Sequence, residues 1–427
     1  MRVLWLVSMT LPQAAAACGL PGASDVSGGW LTGQLTALRA QGEPDITVCS
    51  IDTRADLPTE GEAEGIHYRT VPNAGHFAAL LAACKPDLVH IWGTEYAAAA
   101  AMQQAAAAAR LPVLVGIQGV MRHCAVHLCD GVPESYLRST AMQRAIDRVV
   151  PGALLDKSQR QFNTLAQSEA AVLGAARHVT GRTGFDRAAV QALAPGARYY
   201  PCNETLRPEF YAAAPWQPHA RGDAPVLFLP QGNYPLKNLH TALRAMPAIL
   251  ARYPGAVLRV AGWPPLEKGP LLRPVIEWMF PYQRYCKTLV RELGLQGHLE
   301  YTGPLSAAQF CAALQDADLF MLCSTSENSP NSLGEAMLLG MPCVASRVGG
   351  IPDLLAHEAT GLLYGDPLDA DALAAAVLAL LDDPARAQAL GQAARTVAQT
   401  RHAPAANAAA LADIYAAVAA PVQEGRT

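Results

Sequence analysis

Short runs of Val, Ile and Leu alternate along this chain with longer stretches in which apolar side chains recur at helical spacing. The runs at Val3–Ser8, Ile46–Ile51, Leu88–Ile91 and Val113–Ile117 predict strands covered on both faces, because such strands carry no polar alternation. Between them, Leu31, Leu35 and Leu38 fall on one helical face, and the alanine-rich stretch Tyr96–Ala109 reads as a packed helix. The pattern restarts with Val226–Pro230, Val257–Gly262, Leu299–Gly303 and Leu319–Cys323, and beyond Asp371 the chain is helical, ending in a helix at Ala405–Ala419. This alternation predicts an α/β fold with parallel sheets flanked by helices. The aromatic stretch Pro264–Leu293 is expected to be an insertion whose rings are core.

Prolines and polar residues cluster at 201–225 (PCNETLRPEFYAAAPWQPHARGDAP), which predicts a linker and a boundary near Gly222. With 427 residues the chain can build two domains with separate cores. The expected division is 1–222, 223–400 and a terminal segment 401–427. A net charge of −4 with both signs spread along the chain gives no reason to expect a nucleic-acid partner. The start, MRVLWLVSMTLPQAAAAC, mimics a signal peptide, but its apolar core Val3–Val7 is broken by Ser8, Thr10, Pro12 and Gln13. It fits a buried strand better. No run approaches the roughly 18 residues of a membrane helix, so a soluble, cytoplasmic protein is expected. The ten cysteines then read as reduced thiols; His123, Cys124, His127 and Cys129 form an unusual H-C-x-x-H-x-C spacing on what looks like a loop.

Chemistry concentrates in Ser324–Asp353 (STSENSPNSLGEAMLLGMPCVASRVGGIPD). Ser329 and Pro330 predict a helix start, Gly340 and Pro342 its stop. Glu327 falls before that helix and Glu335 on its second turn, so both can face a crevice at its N-terminus. Free N–H groups there suit a phosphate, and carboxylates suit sugar or ribose hydroxyls. A second anion-binding candidate is Lys237, at the loop-to-helix junction of Gln231–Asn238. Val3–Ser8 followed by Ser27-Gly28-Gly29-Trp30 opens a Rossmann-like unit, though without the full dinucleotide fingerprint, so nicotinamide cofactors are not expected. In HVTGRTGFD, Arg182 points from a strand end into a ligand crevice or stands as a surface charge. The arginine-rich segment 131–168 (Arg138, Arg144, Arg148, Lys157, Arg160) reads as solvated helix faces or as a positive rim for an anionic or lipid-linked acceptor at a membrane surface. Two D-x-D triplets, Asp316–Asp318 and Asp369–Asp371, precede a strand and cap a helix, so no metal site is expected from them.

The sequence S-x-x-E-N-x-P-N-S-L-x-E-A-M, followed by G-x-P-x-V-A-S and V-G-G, resembles the donor-site signature of retaining glycosyltransferase family 4, most strongly over Pro225–Gly365. The resemblance implies a GT-B fold: two Rossmann-like domains facing each other across a cleft, with the C-terminal helix crossing back to the first. It implies a hexosyltransferase that needs neither metal nor cofactor and uses a nucleotide-diphospho-sugar, UDP-sugar favoured. The acceptor would be a glycan, lipid-linked or small molecule, as in exopolysaccharide or other surface-glycan synthesis, with peripheral membrane contact an option. Glu335 would hold the ribose and Glu327 the transferred sugar. Lys237, the N–H groups of Asn331, Ser332 and Leu333, and Gly28-Gly29 would hold the diphosphate, and Leu305 would stack near the base. Unlike the two carboxylates of hydrolytic retaining glycosidases, these glutamates would bind while the leaving phosphate takes the acceptor proton.

Two positions depart from the family. Gln118 stands where many members carry a histidine; it can bond a hydroxyl but moves no proton. Gly232 stands where members carry an arginine five residues before the lysine, and Arg182 is the expected substitute. A sugar phosphorylase, a nucleotide-sugar epimerase or an inactive sugar-binding partner are alternatives, against which the intact Glu327, Glu335 and Lys237 argue.

Overall fold

The computed structural model describes residues 1–20, 28–42, 44–54, 56–149, 152–262 and 277–420. The chain forms two compact units, Met1–Met121 with Leu165–Arg207 and His402–Thr427, and Arg122–Thr164 with Pro208–Arg401.

The first unit is built on eight strands: β1 (Arg2–Val7), β2 (Asp45–Ile51), β3 (Thr59–Ala63), β4 (Ile66–Val71), β5 (Leu88–Trp92), β6 (Val113–Gly116), β7 (His178–Gly181) and β8 (Arg198–Pro201). They lie in the order β3-β4-β2-β1-β5-β6-β7-β8, parallel except for the edge strand β3. Along β1, Val3, Trp5 and Val7 enter the core on one face while Leu4 and Leu6 enter the core on the other. That two-sided burial is why the run shows no polar alternation. The final helix, Pro404–Ala419, belongs to this unit. Its buried Tyr415 hydroxyl accepts a hydrogen bond from Trp5 Nε1 at 2.8 Å and bonds His90 Nδ1 at 2.8 Å. Burial pushes His90 well below the usual imidazole range, which keeps that ring neutral.

The second unit holds six parallel strands: β9 (Val226–Leu229), β10 (Val257–Val260), β11 (Leu299–Tyr301), β12 (Leu319–Leu322), β13 (Cys343–Ser346) and β14 (Leu362–Tyr364). Their order is β11-β10-β9-β12-β13-β14. The chain therefore moves outward from β9 in one direction and from β12 in the other, and β9/β12 is the topological switch point.

Two parts of the expected division differ. Residues 122–164 pack with the second unit, because Val132 and Leu155 are buried in its core and Tyr136 and Leu137 lie against it. The proline-rich stretch from Pro208 to Gly222 also belongs there. It contains a helix, Pro208–Ala212, and Trp216 is pinned by its N–H to Leu339 O and its Nε1 to Ala317 O, both at 2.7 Å. Of the aromatic insertion, residues 264–276 lie outside the described residues, as does Ser27. The rest forms the helix Pro281–Glu292, whose Tyr282 and Tyr285 are buried as core.

Candidate functional site

In an open parallel sheet, ligands bind beyond the carboxyl ends of the strands at the switch point. In the second unit the loops after β9 and β12 meet there. After β9 the chain makes a short turn at Pro235–Lys237, and Asn238 takes a left-handed conformation (φ 56°) before the helix Leu239–Arg252. Asparagine tolerates that backbone. Its buried Nδ2 ties the turn down by donating to Cys323 O at 2.9 Å and Pro367 O at 2.6 Å. This anchoring presents Lys237, whose Nζ donates to Glu327 Oε1 at 2.5 Å. The same carboxylate oxygen accepts from Ser324 Oγ at 2.7 Å. Lys237 and Glu327 side chains are 17% and 11% exposed, so the pair is largely withdrawn from water. Burial works against the ammonium, but the adjacent Glu327 carboxylate outweighs it and holds Lys237 above the usual lysine range.

The loop after β13 completes the frame. Gly350 N–H donates to Glu327 O at 3.1 Å, and Ser346 Oγ donates to Ser324 O at 2.7 Å. Gly349 has φ +53°, and a Cβ there would run into the Glu327 carbonyl oxygen, so glycine is required at this close approach. The helix begins at Asn331, one residue later than expected, with Pro330 as its N-cap and no side-chain cap; Ser329 does not serve. It ends on Gly340 at φ 79°. Its first turn is Asn331, Ser332 and Leu333, and Glu335 is buried on it. Asn331 Oδ1 is buried and meets no donor among the described residues.

Of the histidine–cysteine cluster, His123, Cys124 and His127 sit beside this site on a helix (Met121–His127) and not on a loop, and Cys129 follows in a turn. His123 Nδ1 and Ser326 Oγ are 2.8 Å apart, and Thr325 Oγ1 donates to His127 O at 3.0 Å. The His123 and His127 rings lie 4.3 Å apart, and His127 Nδ1 meets Asp130 Oδ2 at 2.6 Å. Burial, helped by His127, lowers the His123 pKa. Sequence reasoning missed this neighbourhood, although histidines four residues apart share one helical face. Among the described residues no group of three or more His, Cys, Asp or Glu is arranged to hold a metal ion.

The other expected residues are placed as follows. Gly28 (φ 75°) and Gly29 start the helix Gly29–Arg39 in the first unit; a Cβ on Gly29 would meet Arg207 Cδ at 2.8 Å. Gln118 and Arg182 are together, also in the first unit: Arg182 donates to Gln118 Oε1 at 3.2 Å and Gln118 O at 2.6 Å. Arg182 also forms a short ion pair with Glu204, both side chains nearly buried at 6% and 5% exposure. The guanidinium expected to stand in for an arginine at 232 is thus bound to its own unit's carboxylate. Gly232 itself is packed, since a Cβ would lie 2.8 Å from Val260 Cγ1 and 2.9 Å from Leu239 Cδ2. Leu305 follows β11, at the sheet's edge. Asp316 pairs with Arg221 and Arg259, Asp318 pairs with Arg221, and Asp369 caps the helix Ala370–Leu381. In the 131–168 segment, Arg138, Lys157 and Arg160 each pair with a nearby carboxylate.

Residues 215–397, which carry the Lys237–Glu327 site, match the family Glycosyl transferases group 1. A glycogen synthase of Mycobacterium tuberculosis is 33% identical to this chain over 187 residues, 43% of the chain and 41% of the relative. The chain therefore spans about two fifths of that relative's length. The chain shares its fold with solved structures over nearly its full length. Sucrose-phosphate synthase from Thermosynechococcus elongatus has a TM-score of 0.69 at 20% identity and covers 98% of this chain and 99% of its own. Anabaena HepE in complex with UDP and glucose has a TM-score of 0.64 at 15% identity, covering 97% and 99%. The fold is GT-B.

Proposed function

We propose that this protein is a retaining, metal-independent hexosyltransferase of family 4, moving a sugar from a nucleotide-diphospho-sugar to an acceptor hydroxyl in surface-polysaccharide or glycoconjugate synthesis. The observation that carries the proposal is the Lys237–Glu327 pair at the β9/β12 switch point, beside a helix start without a side-chain cap, inside the group 1 match. In this reading the donor diphosphate takes Lys237 from Glu327 and is met by the N–H groups at the start of the helix Asn331–Leu339. Glu327, relieved of its ammonium, accepts hydrogen bonds from the sugar, and Glu335 accepts them from the ribose. Stabilising charge on the departing diphosphate is the dominant catalytic contribution, and the leaving phosphate accepts the acceptor's proton on the same face. A UDP-sugar is favoured, a choice supported by the UDP and glucose with which HepE was solved in complex. Gln118, tied to Arg182, serves as a hydrogen-bonding group and not as an acid or base.

The test is a panel of UDP-, GDP- and ADP-sugars in EDTA, read by thermal shift and slow release of nucleotide, on the wild type and on Glu335→Ala. One donor should stabilise the wild type and lose that effect in the variant. If no nucleotide sugar shifts the melting temperature, the transferase reading falls and a phosphorylase or non-catalytic role takes its place.

A further inference from the structure

The second unit contains another cavity, of about 80 Å³, whose wall includes Ser135, Tyr136, Arg138, Ser139, Thr140 and Arg284. Arg284 lies on the first turn of the helix Pro281–Glu292, its guanidinium over the Tyr136 ring at 5.0 Å. Its Nε is buried and meets no acceptor among the described residues. The carboxylates nearby pair elsewhere: Glu134 holds Arg138 at 2.8 Å, and Asp156 Oδ2 takes the Ser139 hydroxyl at 2.7 Å and Arg160 at 3.3 Å, while Asp156 Oδ1 is buried and meets no donor among the described residues. Among the described residues Arg284 is therefore a cation with a buried donor edge and no carboxylate of its own. Withdrawing such a group from water is costly unless an anion joins it.

We infer that this cavity is a second phosphate site, for the phosphate monoester of a sugar or of a sugar-bearing lipid headgroup. A guanidinium lying over an aromatic ring still presents a planar fork that matches phosphate oxygens two at a time. The Thr140 hydroxyl oxygen accepts the Gln143 N–H at 3.1 Å, which leaves its O–H to donate. Ser135 adds a second hydroxyl to the same wall. The site is separate from Lys237, yet connected to it: Gln283, next to Arg284, donates through Nε2 to Asn233 O at 3.0 Å, in the loop that leads to Lys237. The assignment does not rest on the donor reading, which is tested through Glu335.

The experiment titrates the full chain with glucose 6-phosphate and with glucose by calorimetry, and measures sedimentation with vesicles that do or do not contain phosphatidylinositol 4-phosphate. Glucose 6-phosphate, and not glucose, should bind. Arg284→Gln should weaken it by about tenfold or more, Arg284→Lys by less, and Lys237→Met should leave it unchanged. If only the phosphoinositide vesicles retain the wild type, and Arg284→Gln releases it, the phosphate comes from a headgroup. Equal binding by a folded Arg284→Gln variant, loss of binding in Lys237→Met instead, or no binding to either probe overturns the assignment.

Discussion

Replacing Lys237 with methionine keeps most of the side chain's stem and removes its charge, so it isolates the ion pair. In the wild type Nζ and Glu327 Oε1 are 2.5 Å apart and the pair is mostly buried. Deleting one partner of a fully buried pair costs about 3–5 kcal/mol, chiefly because the other charge is left unpaired. Here Glu327 keeps its Ser324 bond and some exposure, which reduces the expected loss to about 2–3 kcal/mol. Adding Glu327→Gln removes the stranded charge, so the double variant should return to within about 1 kcal/mol of the wild type. Urea unfolding of the four proteins measures it. The pH dependence has a fixed sign: Lys237 is held above the unfolded lysine pKa of about 10.4, so its contribution is complete below that pH and disappears as pH rises through the folded value. The gap between wild type and Lys237→Met should be flat from pH 6 to 9 and close above about pH 10.4. Catalysis should not follow stability. Losing a preorganised charge at the leaving group costs about 100- to 1000-fold in kcat/KM, and the double variant should not recover it. A Lys237→Met protein as stable as the wild type, or a double variant no better than the single, refutes the pairing. Unchanged kcat/KM refutes the role at the diphosphate.

Gly349→Ala places a Cβ against the Glu327 carbonyl at a left-handed φ, so thermal unfolding should show a loss of about 2–3 kcal/mol and donor titration should show binding abolished. His240 is buried, and burial together with Arg244 lowers its pKa to about 3. The unfolded chain then takes up a proton near pH 6.5 that the fold refuses, so stability falls as pH drops from about 6.5 toward 3, by up to about 1.4 kcal/mol per pH unit. His240→Asn should flatten that slope in urea unfolding at pH 7, 5.5 and 4.

Much of this architecture is written in the chain because its strands are buried on both faces. The runs at Val3, Ile46, Leu88, Val226 and Leu319 were expected as strands and form them, with ends shifted by one or two residues. The β3–β4 hairpin was not legible. Its outer strand, Thr59-Glu60-Gly61-Glu62-Ala63, is polar because it is an edge and buries little, and its turn at Glu64-Gly65 adopts positive φ at both positions. Lys237 and Glu327 were singled out because each precedes a helix on a loop that follows a strand, and the structure pairs them at the switch point. The company they keep was not. Residues 122–164 were assigned to the first half by continuity, but which core a segment joins depends on distant partners such as those of Val132 and Leu155. With that assignment the packing of His123 and His127 on the Ser324–Glu327 loop was out of reach.

One of the two departures from the family pattern, Gly232, also acquires a physical account. Gly232 is not a position from which an arginine has simply been dropped: Val260 and Leu239 occupy the space a side chain would need. Arg182 does not replace it within the first unit's packing, because breaking its pair with Glu204 would strand a carboxylate that is 5% exposed. Lys237 is then the one cation bonded to Glu327 among the described residues. A diphosphate held there would meet the Lys237 ammonium and the N–H groups of Asn331 and Ser332, fixed dipoles that only a proline substitution removes; the N–H of Leu333, expected to join them, already donates to Pro330 O at 3.1 Å. If no second cation shares that charge, the Lys237→Met effect on kcat/KM belongs near the upper end of its range, about 1000-fold. A loss of only tenfold would mean that another positive group reaches the diphosphate.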